Sequence, residues 1–398
     1  MSPQKTTTPI NQDASFSRNF YDSEKINYLR LSRAKNLRNI DFFALINKFQ
    51  NATNAIRNLD QYLQYKNLKK PIILASEIEI LDEIKKCDKI GAKIITFYEE
   101  SYPKLLKEIS DPPPIITIKG NIKLLQQNII AIIGTRNASI NGCRFTRKIA
   151  NDLGKENIAI ISGLARGIDT AAHQASLDSG TIAVIAGGID NIYPAENKSL
   201  YEEIFEKGIV ITEQKIGEPP KAFNFIKRNR IISGLALGVV VIEAKLRSGS
   251  LTTARFALEQ NREIFAIPGS PFDPRYQGTN LLIKQGAKLT ENQEDIISEI
   301  RNLSNFNQKS DLLDILPKSN NTKIEIGNAK IKDKIGINIC SGDTNIQSKI
   351  LKRINYSPIL VEDIVNELKV SASLVNIAII EMEINGLITI IGDKIYLN

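Results

Sequence analysis

The segment NIIAIIGTRNAS, residues 128–139, shows the pattern from which the fold can be inferred: an unbroken apolar run ends at a glycine and polar residues. Such a run, rich in β-branched side chains and followed by a turn signal, is typical of a strand that is buried on both faces. Five more runs of this kind follow at residues 158–163, 181–188, 208–213, 237–244 and 263–269. Stretches with helical periodicity separate them. The pattern predicts an α/β domain over residues 116–300 with a doubly wound, mostly parallel sheet.

The regions on either side predict smaller units. Residues 1–25 are polar, which predicts a disordered tail, and residues 26–115 carry apolar side chains at helical spacing, which predicts a small helical domain. Residues 301–345 are rich in Asn, Lys, Ser and Gly and predict a linker. Helical stretches followed by a hairpin over residues 346–398 have the order of a winged-helix domain.

The composition excludes several classes of protein. Three scattered cysteines and one histidine form neither a disulfide framework nor a zinc spacing, so we expect no metal site and a reducing compartment, the cytoplasm. The amino terminus lacks a secretory pattern, and no run of 18 apolar residues occurs, so we expect no membrane span. Neither a P-loop nor a G-x-G-x-x-G motif is present, and we expect no cofactor. The net charge of +8 weakly favours an anionic partner.

Glycine, arginine and serine follow the predicted strands at the point where each strand ends. Because ligands of open parallel sheets bind beyond the carboxyl ends of the strands, these residues are expected on one edge. Glycine lets a ligand approach the backbone, helix N-termini attract anions, and arginine grips phosphate with two N–H groups. Tight turning and helix capping are the structural alternatives for these residue types. The candidate residues are Gly134, Arg136, Gly163, Arg166, Ser248 and Ser250.

A basic cluster lies in the segment FNFIKRNRIISGL, residues 223–235, where Phe225 precedes Lys227, Arg228 and Arg230. A solvated helix face would explain the charges equally well. Together with the loops at the same edge, however, the cluster predicts a phosphate-lined groove with an aromatic platform. Proteins hold single-stranded nucleic acid in this way without sequence preference.

Two other functions remain open at this point. A nucleotide or nucleoside-phosphate hydrolase would need an acid in the groove, for which Asp169 and Glu243 are the candidates; the one histidine, His173, is expected to make a structural contact. A winged-helix regulator of duplex DNA would need a basic recognition helix. The candidate helix at residues 371–387 has no Lys or Arg and carries two Glu, which favours a structural or protein-contact role.

The motifs, taken in order, resemble the DprA/Smf DNA-processing family from about Ile115 to Leu289. They read IIGTR, SGLARGIDTAAH, TIAVIAGGIDNIYPAEN, RNRIISGLA, VIEAKLRSGSLTTA, IPGSP and GTNLLIKQGA. The resemblance implies a Rossmann-like fold that binds single-stranded DNA as a homodimer. It further implies a non-enzymatic role in loading RecA during natural transformation or recombination. The flanking regions match the family's variable helical domain, of the SAM or helix-hairpin-helix kind, and its winged helix.

The resemblance also carries roles to individual residues. Arg136 in GTR matches a DNA-contact position of the family. The family's F-P-x-R-N-R motif matches Phe225 to Arg230, which implies that Arg228 and Arg230 contact the strand. Here Ile226 replaces the usual proline of that motif.

Overall fold

A computed structural model of the chain describes residues 23–66 and 71–301, and a smaller set near the carboxyl terminus. The first 22 residues of the predicted tail and the predicted linker beyond residue 301 lie outside the described residues. The chain divides into two compact units, Met1–Pro317 and Lys318–Asn398, and each is described by itself.

The amino-terminal region is helical, as predicted. Its first helix, α1, covers residues 23–32. It is followed by α2 (Asn39–Phe49), α3 (Ala52–Arg57), α4 (Leu59–Lys66) and α5 (Glu77–Lys89). Leu31, Phe42 and Leu45 are fully buried and form the core of this region. In the turn between α1 and α2, Asn36 adopts a φ of 64°, a left-handed conformation that asparagine tolerates better than most residues.

A nine-stranded sheet forms the centre of the first unit, in the order β1-β2-β6-β5-β4-β3-β7-β8-β9. The strands are β1 (Lys93–Thr96), β2 (Ile115–Gly120), β3 (Asn128–Ile133), β4 (Ile158–Ser162), β5 (Thr181–Val184), β6 (Ile209–Thr212), β7 (Gly238–Val241), β8 (Glu263–Ala266) and β9 (Lys288–Leu289). The six predicted strands are β3 to β8, and all pair in parallel. The antiparallel pairs of β2 with β1 and β6 extend the sheet to residues before the predicted boundary at 116.

Helices cover both faces of the sheet. Successive strand residues point to opposite sides, and since the central strands are apolar throughout, both faces are apolar and are buried against helices. Ala131 and Ile133 pack in one core cluster with residues of α10 and α11, whereas Ile130 and Ile132 pack in another with residues of α7. The helices are α6 (Lys104–Lys107), α7 (Ile140–Lys155), α8 (Ile168–Ser176), α9 (Lys198–Lys207), α10 (Ala222–Leu235), α11 (Gly249–Glu259), α12 (Gln277–Lys284) and α13, which begins at residue 294. Within the described residues, no helix combines the length and apolarity that crossing a bilayer requires.

The sheet has its topological switch point at β3. From β3 the chain adds β4, β5 and β6 on one side and then returns to add β7 and β8 on the other. The loops that follow β3 and β7 therefore lead to helices on opposite faces and leave a crevice between them. Such a crevice is the usual ligand site of an open parallel sheet.

The second unit has a three-stranded antiparallel sheet in the order β10-β12-β11. Its strands are β10 (Ile359–Leu360), β11 (Ile388–Ile391) and β12 (Lys394–Leu397). Four helical positions, Val375, Ala378, Ile379 and Met382, are buried at the spacing of one helix face. The hairpin and a preceding helix agree with the predicted winged-helix order.

Candidate nucleic-acid interface

A groove of about 760 Å³ opens at the switch point, between the loop after β3, the amino-terminal half of α10 and the start of α11. The lining residues that bear on function are Gly134, Arg136, Asp169, Tyr193, Phe225, Arg228, Asn229, Lys245, Ser248, Ser250 and Thr253. A smaller hollow of about 340 Å³, here called the side hollow, shares Arg136, Tyr193 and Phe225 with the groove and adds Gly163 and Arg166. Eight of the ten predicted site residues thus line one continuous concave surface.

Aromatic rings lie beside an exposed guanidinium in the lining of the groove. The guanidinium carbon of Arg136 lies 5.7 Å from the centre of the Phe225 ring, within the range of a cation–π contact. The Tyr193 ring meets Phe225 edge to face, with 5.3 Å between ring centres. Tyr193 is 48% exposed, and Arg136 is exposed as well. Tyr193 was not among the residues predicted from the sequence; its signal was a position in the loop after β5, on the edge that carries the other candidates.

Arg166 lies in the side hollow with its side chain exposed to solvent. Its Nη1 atom is 3.8 Å from Oε1 of Glu196, and both side chains are more than half exposed. An exposed ion pair at this distance is weak and is easily exchanged for another anion. Arg136 and Arg166 therefore provide two accessible guanidinium groups along the surface.

Arg228 lines the groove but is only 5% exposed. Its Nη1 donates hydrogen bonds to the carbonyl oxygens of Gly163 (2.7 Å) and Val184. Burial lowers the pKa of Arg228 to about 10, a shift that the nearby Asp169 carboxylate opposes, so the guanidinium remains charged at neutral pH. The Arg228 guanidinium therefore lies beneath the surface of the groove, where its positive charge still favours an anion in the groove. As a direct DNA contact, Arg228 stays a prediction.

The glycines at the ends of β3 and β4 make room for side chains of the protein. A Cβ atom at Gly163 would come within 2.3 Å of the Arg228 guanidinium, and one at Gly134 within 2.5 Å of Ile168. Both glycines line the concave surface, but the space beside each Cα is filled by a side chain of the protein, Arg228 or Ile168. From the sequence, we expected a ligand to use that space.

Lys227 and Arg230 lie on the opposite side of α10 from the groove. Residues 225, 228, 229 and 232 share the groove face, whereas positions 227 and 230 point away, as 3.6 residues per turn require. Arg230 is 4% exposed and pairs with Glu213 and with Asp111 (3.1 Å). The Nζ atom of Lys227 is 3.5 Å from Glu213. DNA contacts by Lys227 and Arg230 stay predictions. In the structure, the buried Arg230 guanidinium connects α10 to the carboxylates of Glu213 and Asp111.

The start of α11 brings hydroxyl groups to the groove. Ser248 occupies the N-cap position of α11 without a side-chain capping bond, and its buried hydroxyl oxygen has no hydrogen-bond partner among the described residues. Ser250, two residues further along, also lines the groove. The helix N-terminus and the free hydroxyl together favour an anion at this end of the groove.

Comparison with known proteins identifies the family. A family model described as DNA recombination-mediator protein A matches residues 93–301. The chain belongs to the DprA/Smf family. Models of the DprA-like N-terminal HHH domain and the DprA winged helix domain match residues 22–85 and 341–393. Both smaller domains of the sequence analysis are therefore family domains.

Individual relatives are similar to about half of this chain or more. The DNA processing protein DprA of Streptococcus pneumoniae is 46% identical over 203 residues, which cover 50% of this chain and 72% of that protein. Protein Smf of Escherichia coli is 42% identical over 205 residues, covering 51% of this chain and 55% of that protein. The X-ray structure of DprA from Streptococcus pneumoniae superposes with a TM-score of 0.54 at 38% identity, over 63% of this chain and 82% of that chain.

A hydrolase would need a carboxylate available in the groove, but both candidate acids, Glu243 and Asp169, accept hydrogen bonds from the protein itself. Glu243 is fully buried, and its carboxylate accepts hydrogen bonds from the amide (3.0 Å) and hydroxyl of Ser139 and from the Tyr276 hydroxyl (3.2 Å). Asp169 accepts from the amides of Gly163 and Ala165, and burial raises its pKa. Throughout the part of the chain that the structure describes, no cluster of His, Cys, Asp and Glu is arranged to hold a metal ion.

Proposed function

We propose that this chain binds single-stranded DNA in the groove and side hollow without sequence preference. The observation that carries the proposal is the row formed by Arg136, Phe225 and Tyr193 at the mouth of the groove. Guanidinium groups hold phosphates of any sequence, and aromatic rings stack with any base. Their combination is the usual design of a sequence-tolerant single-strand site.

The platform favours single strands over duplex DNA for a physical reason. A base can stack on Tyr193 only when it is free of its neighbours, and in a duplex every base face is covered by the adjacent pair. Arg136 and Arg166 alone would attract either form through phosphate charge. We therefore expect the preference for single strands to depend on the aromatic rings and the overall affinity to depend on the arginines.

We further propose that the chain acts as a recombination mediator that loads RecA onto the bound strand in the cytoplasm, as a homodimer and without catalysis. Membership of a family described as DNA recombination-mediator protein A supports the mediator role. The engaged carboxylates of Glu243 and Asp169 support a non-enzymatic function. In a direct assay, the chain should accelerate RecA ATP hydrolysis on a strand coated with single-strand binding protein and should not release phosphate from nucleoside monophosphates.

The binding proposal is tested by fluorescence anisotropy with labelled poly-dT and a matching duplex over a range of salt concentrations. We expect tight, salt-sensitive binding of poly-dT and weaker binding of duplex. In Arg136→Ala the dependence of log affinity on log salt should become shallower by about 0.7, the contribution of one phosphate contact with a single strand.

Arg255→Ala is the matched control, since Arg255 is an exposed arginine on α11 that lines neither cavity. Equal losses in the two variants would show a general charge effect. Failure of the well-folded wild type to bind poly-dT would refute the proposed function.

A further inference from the structure

A second polar cavity, here called the cleft, lies between the amino-terminal helices and the segment that follows β6. Its volume is about 610 Å³. Residues 32–35 and 37, at the end of α1 and in the turn after it, line one side, and residues 213–215 line the other. Further lining residues include residues 73–75, Pro113, Pro114 and Lys227 of α10.

The cleft carries an excess of positive charge from separate segments of the chain. Five basic and three acidic side chains line it, and one of the basic residues, Arg33, is paired with Glu83 (2.7 Å), which is not a lining residue. Lys221 pairs with Glu218, and Lys227 lies 3.5 Å from Glu213. For Lys35 and Lys215, no carboxylate within the described residues lies at ion-pair distance.

The two uncommitted lysines act on the same point of the cleft. The pKa of Glu79 is lowered, first by hydrogen bonds from Ser76 and then by the charges of Lys215 and Lys35. Lys35 belongs to the helical domain and Lys215 to the sheet domain, and both line the cleft. The exposed Glu79 carboxylate, which accepts hydrogen bonds from the amide and hydroxyl of Ser76, lines it as well.

The first half of α10 separates the cleft from the groove. Pro220, Ala222 and Ile226 line the groove, whereas the interleaved Lys221 and Lys227 line the cleft. A strand that leaves the groove at the amino-terminal end of α10 therefore reaches the cleft by passing around the first turn of this helix, whose diameter with side chains is about 10–12 Å. Lys221 stands on that crossing.

We propose that the cleft is a second subsite for the phosphate backbone of the single strand, which continues from the groove over the first turn of α10 to Lys35 and Lys215. This inference rests on the proposed function of the groove. The cleft has no aromatic lining residue, so it offers no platform for bases. Lysine presents a compact charge with rotatable donors, which suits phosphates that are held without a fixed register.

The double variant Lys35→Gln/Lys215→Gln tests the proposal against Lys85→Gln/Lys123→Gln. The control removes the same charge from two exposed lysines that line neither cavity. Affinity is measured for poly-dT strands of increasing length at several salt concentrations. We expect the cleft variant to bind the shortest strands like wild type and to lose the affinity gained with longer strands. Its salt dependence on the longest strand should become shallower by about 1.4, twice the contribution of one single-strand phosphate.

The outcomes separate this inference from the proposed function. If the cleft variant and the control bind every length alike while Arg136→Ala weakens binding, the groove site stands and the cleft subsite is refuted. If the cleft variant weakens binding of the shortest strands as much as that of the longest, the two cavities do not act in sequence and the inference fails. If wild type binds no strand, both proposals fail together.

Discussion

The rings of Tyr193 and Phe225 meet edge to face at an interplanar angle of 64°, although they belong to the loop after β5 and to α10. Arg136 approaches the Phe225 ring from the loop after β3. Three elements that are distant in sequence thus build one platform. Since Phe225 already contacts Arg136 and Tyr193, the half-exposed Tyr193 ring is the better candidate to receive a base.

The Tyr193 platform can be tested by fluorescence, because the chain contains no tryptophan. Tyr193→Trp places a single indole at the mouth of the groove. Stacking with a base should quench its emission when poly-dT binds. An abasic strand of the same length, which offers phosphates alone, should bind without quenching.

Two further results would support or contradict base stacking on Tyr193. Tyr193→Ala should cost roughly 1–3 kcal/mol of binding free energy, the range for one stacked base, with little change in salt dependence. A tryptophan at position 193 that responds equally to abasic and normal strands would place the ring outside the base-binding surface.

Glu196 is expected to compete with phosphate for Arg166. Its carboxylate lies 3.8 Å from the Arg166 guanidinium within the side hollow. Glu196→Gln should therefore raise the affinity for poly-dT and steepen its salt dependence by up to about 0.7. Glu202→Gln on the exposed side of α9 is the charge-matched control. Identical gains in both variants would mean that only net charge matters.

Arg230 is expected to stabilise the fold. Removing one partner of a buried ion pair typically costs about 3–5 kcal/mol, because the remaining charge is left uncompensated. Arg230→Met should lower the urea midpoint strongly, and Arg230→Met/Glu213→Gln should recover part of the loss. A stable Arg230→Met protein with a shallower salt dependence of DNA binding would instead support the direct contact that the family motif implies.

The single histidine predicts a pH dependence of stability. His173 is fully buried, and its Nδ1 is 2.7 Å from the Thr181 hydroxyl oxygen, whereas its Nε2 meets no hydrogen-bond partner in the part of the chain that the structure describes. Burial, aided by the charge of Arg228, lowers its pKa from 6.5 to about 3. Between these values the unfolded chain binds a proton that the folded chain does not. The free energy of unfolding should therefore fall as the pH is lowered, by at most about 1.4 kcal/mol per pH unit.

Urea unfolding of wild type and His173→Asn between pH 5 and 7 checks this expectation. Asparagine keeps a hydrogen-bonding group near Thr181 but does not titrate, so its curve should be flatter below pH 6.5. Parallel curves for the two proteins would show that His173 takes up its proton in the folded state.

Much of the fold could be predicted from local patterns. The runs that became β3 to β8 are apolar throughout because both faces of each strand are covered, and that signal is carried by each segment alone. The antiparallel strands β1 and β2 were not predicted as members of the sheet. Their place at its edge depends on pairing with β6, which follows far later in the sequence.

The sequence predicted the edge of the sheet on which the candidate site lies and the types of residue that line it. Arg136, Arg166 and Phe225 lie on the expected surface, since the carboxyl ends of parallel strands meet at one edge. Tyr193 was not predicted, because a single aromatic residue in a loop forms no periodic pattern in the sequence. Its role in a platform follows only from its contact with the Phe225 ring in the folded chain.

Local patterns in the sequence are enough to predict the parallel sheet, the edge that bears the candidate site and the supply of positive charge around it. Tertiary structure decided which of those charges is available. Lys227, Arg228 and Arg230 form one cluster in sequence, but the helix turns them to different sides, where Glu213, Asp111 and the carbonyl groups of Gly163 and Val184 meet them. The availability of a charge depends on the partners that folding brings to it, and those partners come from distant parts of the chain.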